Sequence, residues 1–158
     1  MSEEQLTSWT QNSTAELEHR GPDDSGIWID AQLGVGLGHR RLSIIDVSTS
    51  GHQPMVSKDG QFVITYNGEV YNFRELRNNL QSENIMFDGG SDTEVLLAGI
   101  AHWGLIETLQ RVNGMFAIAQ WHRSRQRLHL ARDRYGQKPL NYPWAGHDYA
   151  FASTLAAL

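Results

Sequence analysis

Residues 61–73 read QFVITYNGEVYNF, and the reading of this stretch decides the fold. Phe62 to Thr65 is a β-branched and aromatic run of the kind that suits a pleated, half-buried surface. Asn67-Gly68 follows, and between apolar runs this pair is the strongest short-range signal for a hairpin turn. The stretch therefore predicts two strands, QFVITYN and EVYNF, meeting at a polar turn with Glu69 beside it. From Phe73 the period changes. Phe73, Leu76 and Leu80 recur at helical spacing and predict a helix ending near Ser82.

Outward from this centre, SGIWID (25–30) and LGVGLGHRRLSII (33–45) predict two strands joined through Asp30-Ala31-Gln32. NGMFAIAQWH (113–122) is nearly continuous in apolar residues, the pattern of a strand covered on both faces. It forms a hairpin with RLHLARD (127–133) around Ser124, and KPLNYPW and DYAFAS read as further strands. Ser2 with Gln5 is a capping box opening a helix that carries Leu6 and Trp9. Ser13 with Glu16 repeats the signature and predicts a second short helix ending near His19. Ser91 with Glu94 repeats it again before a helix that stops at Gly104, and LIETLQRV extends the helical segment. RGPDDSG (20–26) is a turn cluster and DVSTSGHQPM (46–55) a loop. Antiparallel hairpins with adjacent helices between them point to an α+β, layered architecture.

The chain has 158 residues, expected as one domain over 1–158. Apolar residues are 40% and charged residues 20%, ordinary for a globular domain. A net charge of −5 argues against nucleic-acid binding, and the basic residues between Arg123 and Arg134 are interleaved with Asp133 and apolar positions. No apolar stretch approaches the ~20 residues of a membrane span. The acidic, polar start MSEEQLTSWTQ is no signal peptide, so a cytoplasmic setting is expected. Cysteine is absent, which excludes disulfides, thiolate metal sites and a cysteine nucleophile within these residues. The seven histidines show no ligand spacing, and no metal is expected.

Several stretches carry chemistry beside a structural alternative. GVGLG (34–38) has the wrong spacing for a dinucleotide loop and precedes strand, so close backbone approach is the better account. In GHRRLSIID, alternation sends one of Arg40 and Arg41 inward, where it must meet a carboxylate of the protein or of a ligand. Asp92 either belongs to a helix start or presents its carboxylate to an ammonium group. Asn67, Gly68 and Glu69 form either a polar turn or two donors for an oxyanion with a carboxylate alongside. Together these groups match a free α-amino acid bearing an amide side chain.

HRGPDDSG, GHRRLSIID, GHQPM, YNGEVYNFRELR, GGSDTEVLL, VNGMFAIAQW and ARDRYGQKPL occur in this order between His19 and Leu140. This series resembles the glutaminase domain of glutamine-hydrolysing asparagine synthetases, which are class II glutamine amidotransferases. The resemblance implies the four-layer αββα sandwich of N-terminal-nucleophile hydrolases. It implies Arg41 for the glutamine carboxylate, backbone around Leu42 and Ile44 lining that pocket, and Asn67 and Gly68 as the oxyanion hole. It implies Glu69 and Asp92 for the α-amino group. L-glutamine is the implied ligand and a C-terminal synthetase domain the implied partner. No cofactor is implied for this domain, since ATP and magnesium belong to the synthetase half.

The sequence departs from that family in two places. Family members open with a strand carrying Cys after the initiator Met, where this chain has Ser2 and the helix-like SEEQLTSW. Ser2 reads as a helix cap rather than as a substitute nucleophile. A fold lacking its first strand is therefore expected, inactive by itself and open to self-association along the strand edges left beside GMFAIAQW. The chain ends at FASTLAAL where relatives continue. Two other readings stay open: a non-catalytic domain that docks on a synthetase, and the glutaminase domain of a sugar or peptide amidotransferase.

Overall fold

The computed structural model of the chain describes residues 1–42, 51–142, 144–145 and 148–158. Helix α1 spans Glu3–Ala15 and is followed by a 3-10 turn at Glu18–Arg20. Strands β1 (Asp24–Asp30) and β2 (Val35–Arg41) form an antiparallel pair, and β3 (Met55–Val56) precedes β4 (Phe62–Val70). Helices α2 (Phe73–Ser82), α3 (Asp92–Trp103) and α4 (Leu105–Arg111) lead to β5 (Gly114–His122) and β6 (Arg127–Arg132). Short strands β7 (Trp144–Ala145) and β8 (Asp148–Tyr149) and a final 3-10 turn at Leu155–Ala157 complete the chain.

The larger sheet runs β3-β4-β5-β6, antiparallel throughout, and β1-β2 and β7-β8 are two-stranded. The layers read α1, the β1-β2 pair, the four-stranded sheet, then α2 to α4. The main core lies under the helices, where Ile64, Tyr66, Val70, Phe116 and Ile118 meet Leu76, Leu80, Val95, Leu96 and Ile100. A smaller core of Leu37, Val63 and Trp121 lies between the two sheets. Each fully buried aliphatic side chain contributes about 1.5–3 kcal/mol.

The expected turn at Asn67-Gly68 is absent: β4 runs unbroken from Phe62 to Val70, pairing Asn67 with Ala117 and Gly68 with Phe116. Neither residue has the positive φ that a type I′ turn requires. Glycine serves close approach instead, because a Cβ at Gly68 would overlap the Met115 carbonyl and the Phe116 backbone. EVYNF is accordingly no separate strand, since its end already opens α2.

The capping box at Ser2 and Gln5 forms with both of its bonds. The second one does not: α1 continues through Ser13 to Ala15, and its buried face, Leu6, Thr10 and Thr14, lies on β2. Thr10 and Thr14 turn their hydroxyls back to the helix carbonyls of Leu6 and Thr10, at 2.8 and 2.7 Å. A Cβ at Gly36 would overlap the Thr10 hydroxyl, and one at Gly38 the Thr14 hydroxyl. GVGLG is thus a packing seam. At α3 the Ser91 hydroxyl accepts from Glu94 N–H, but Glu94 caps the preceding loop, accepting from Asp88 and Gly89 N–H at 2.7 and 2.9 Å.

Of the KPLNYPW stretch, residues 138–142 form no strand, Asn141 making only an isolated bridge to Ala152, and Pro143 lies outside the described residues. DYAFAS is paired only at Asp148–Tyr149 and that bridge. GMFAIAQW has a neighbour on each side, β4 and β6, so no edge is left open beside it. Among the described residues, the edges without a partner are the outer ones of each sheet: those of β1 and β2, of β3 and β6, and of β7 and β8. Strand β2 ends at Arg41, and Ser43 to Ile45 of the predicted strand lie outside the described residues.

Candidate functional site

An unbroken β4 divides its side chains between two layers. Tyr66 joins Ile64 and Val70 under the helices, whereas Thr65, Asn67 and Glu69 share the face of Val63. That face opens on a cavity of about 360 Å³ between the sheets. Strand β2 contributes His39 and Arg41 to the cavity, followed by Leu42, and the start of α3 contributes Asp92. Of the residues named from the sequence, Arg41, Leu42, Asn67, Gly68, Glu69 and Asp92 all line it. Ile44 lies outside the described residues.

Alternation along β2 separates the two arginines. Arg40 turns to the helix side, donating Nε–H to the Gly21 carbonyl at 2.9 Å and approaching Glu18 at 3.6 Å. Arg41 borders the cavity, and a Cβ at Gly51 would overlap its guanidinium. Asp24, opposite Arg41 in the strand register, feels that charge. Burial tends to raise the Asp24 carboxyl, but the bond to His52 at 2.7 Å and the neighbouring charges hold it below the usual carboxylate range.

Asp92 is 7% exposed and divides its oxygens. Oδ2 accepts from the Tyr66 hydroxyl at 2.9 Å and from Val70 N–H at 3.0 Å. Oδ1 has no hydrogen bond to any described residue. Its place in the first turn of α3 favours the negative charge. Burial first, then the Asp92 carboxylate, push the Tyr66 phenol far upward, so it stays a donor. The side chains of Asn67 and Glu69 likewise bond no described residue.

Sequence reasoning missed the residues that hold these groups in place. Gln53, 5% exposed, accepts Tyr66 N–H at Oε1 (2.7 Å) and donates from Nε2 to the Thr93 hydroxyl at 3.3 Å. It thereby ties β4 to the start of α3. Gln53 stands inside the GHQPM motif, but the loop pattern gives its side chain no role. Tyr66 was legible only as an apolar strand residue. His39 lies within GHRRLSIID, but the pattern there draws attention to the two arginines and gives the imidazole no role. Ser2 is the α1 cap, its hydroxyl accepting from Gln5 N–H at 3.2 Å, and it does not line the cavity. Among the described residues, no three His, Asp or Glu are grouped to hold a metal ion, and no helix is long and apolar enough to cross a membrane.

The glutamine amidotransferase domain family matches residues 1–158, the whole chain. This chain belongs to that family. The amidotransferase domain is 40% identical over 147 residues to asparagine synthetase [glutamine-hydrolyzing] 3 of Bacillus subtilis, covering 92% of the chain and 23% of that enzyme. It is 44% identical over 142 residues to asparagine synthetase [glutamine-hydrolyzing] 1 of the same organism, covering 90% of the chain and 22% of that enzyme. The chain thus spans less than a quarter of the length of these curated relatives. Its structure is similar to that of glutamine phosphoribosylpyrophosphate amidotransferase from B. subtilis, with a TM-score of 0.77 and 21% identity. The match covers 99% of this chain and 40% of that one. The fold is the α+β, four-layer sandwich of the N-terminal-nucleophile hydrolases.

Proposed function

We propose that this amidotransferase domain binds L-glutamine in the cavity between its sheets. The α-carboxylate meets Arg41 and the backbone around Leu42, and the α-amino group meets Glu69 and Asp92. The side-chain carbonyl oxygen meets Asn67 and Gly68. One observation carries this reading: Asn67, Glu69 and the free oxygen of Asp92 all have unused hydrogen-bonding capacity on the cavity that Arg41 borders. Such a set of convergent polar groups in a concave site of this size suits a small, doubly charged ligand.

In the complete protein the domain releases ammonia from glutamine for an ATP-using, asparagine-synthetase-type domain C-terminal to it. Relatives of that kind support this assignment. Asn67 and Gly68 would stabilise the oxyanion formed when the amide is attacked. These 158 residues contain no cysteine, and Ser2 is committed to the helix cap. The chain alone is therefore expected to release no ammonia from glutamine, measured by an ammonia assay against a no-protein control. Release well above that control would overturn the reading that these residues hold no nucleophile for the amide. Binding is tested separately, by calorimetry with glutamine.

A further inference from the structure

His39 lies on β2 on the same strand face as Arg41, two positions along, and borders the cavity. Its Nδ1 is 3.2 Å from the Thr65 hydroxyl oxygen. The Thr65 hydroxyl donates to the Gly38 carbonyl at 3.3 Å. With that proton engaged, Thr65 receives the bond from His39, which assigns the imidazole proton to Nδ1 and leaves Nε2 an acceptor. Nε2 bonds no described residue. It is not sealed away either: the unpartnered side-chain atoms shut off from solvent among the described residues are Gln120 Nε2, Trp121 Nε1 and Thr154 Oγ1.

Thr65 and Asn67 are neighbours on one face of β4, about 6–7 Å apart along the strand. His39, anchored on Thr65, therefore stands one side chain from Asn67, the proposed partner of the amide carbonyl oxygen. The amide's NH₂ group needs an acceptor on that side. The imidazole meets this need as a neutral ring, since burial, with Arg41 and His52 adding to it against Asp24, lowers its pKa to about 4.

We propose that His39 is a specificity-determining residue whose Nε2 accepts a hydrogen bond from the side-chain NH₂ of glutamine and so excludes glutamate. This rests on the glutamine-binding reading above. A carboxylate in the same place sets a lone pair against the Nε2 lone pair and offers no proton in return. Sites built around a donor on the substrate reject analogues lacking it far more strongly than apolar pockets reject a size change.

The test is calorimetry of the 158-residue chain with glutamine and with glutamate, for the unaltered protein and for His39→Phe and His39→Asn. Circular dichroism checks the fold of each variant. The expected result is glutamine binding with glutamate excluded, a preference narrowed at least ~10-fold in His39→Phe, and partial recovery in His39→Asn. Nitrogen NMR of the unaltered chain reads the same claim without a variant: an Nδ1–H tautomer whose Nε2 signal moves with glutamine and not with glutamate. Failure of the unaltered chain to bind glutamine overturns the proposed function and this inference with it. Glutamine binding with an Nε2–H tautomer, an unmoved Nε2 signal or an unchanged preference in His39→Phe overturns the inference alone.

Discussion

Tyr66 is 3% exposed and donates its hydroxyl to Asp92 Oδ2, which Val70 N–H also reaches. Replacing that phenol by Phe removes a bond to a buried carboxylate without changing the ring. Tyr66→Phe is expected to lower stability by about 1.5–3 kcal/mol in urea unfolding. His39 sets a pH dependence. Its folded-state pKa is depressed to about 4 from 6.5, burial being the largest cause. Between those values the unfolded chain binds more protons than the folded one, so stability rises with pH there. The contribution is fully present above about 6.5 and is lost as pH falls toward 4, roughly 3 kcal/mol for this group. His39→Asn should flatten the slope of the urea midpoint across that window. Of these residues, Asp92 was legible because a helix-start signature frames it. Tyr66, Gln53 and His39 were not, because their roles depend on which elements meet across the fold, and that spacing is not written locally.

At the scale of elements, two glycine contacts make opposite lessons. The seam between α1 and β2 was legible as close approach, because Gly36 and Gly38 alternate within a strand pattern. Gly38→Ala should cost about 1–3 kcal/mol, since the new Cβ would overlap the Thr14 hydroxyl. Pairing it with Thr14→Ala should recover part of the loss, a coupling that a double-mutant cycle in urea measures directly. Asn67-Gly68 misled. Its composition is that of a tight turn, yet nine consecutive residues pair with β5. Long-range pairing overrode the local preference, and the apolar run on β5 supplied it. The correction strengthens the site, because an unbroken strand puts Thr65, Asn67 and Glu69 on one face, where a turn would have splayed them. The helix boundary at Ser13 failed for a related reason: Thr10 and Thr14 bury against β2 and carry α1 onward through a second cap signature.

For the molecule as a whole, the layering was legible from hairpins bracketing helices, and the motif series pointed to the family. What local pattern left out was how the layers enclose a cavity: β2 and the start of α3 approach it from opposite sides of β4. Titration calorimetry of the unaltered chain against Asp92→Asn tests whether the cavity between the sheets is a glutamine site. Asp92→Asn keeps the side-chain shape and an acceptor for Tyr66 while removing the charge proposed to hold the α-amino group. Glutamine is expected to bind the unaltered chain, with affinity falling at least ~10-fold in the variant, in step with a lost charge-assisted bond. Absence of glutamine binding to the unaltered chain, or equal affinity in a folded Asp92→Asn variant, would contradict the glutamine-site reading.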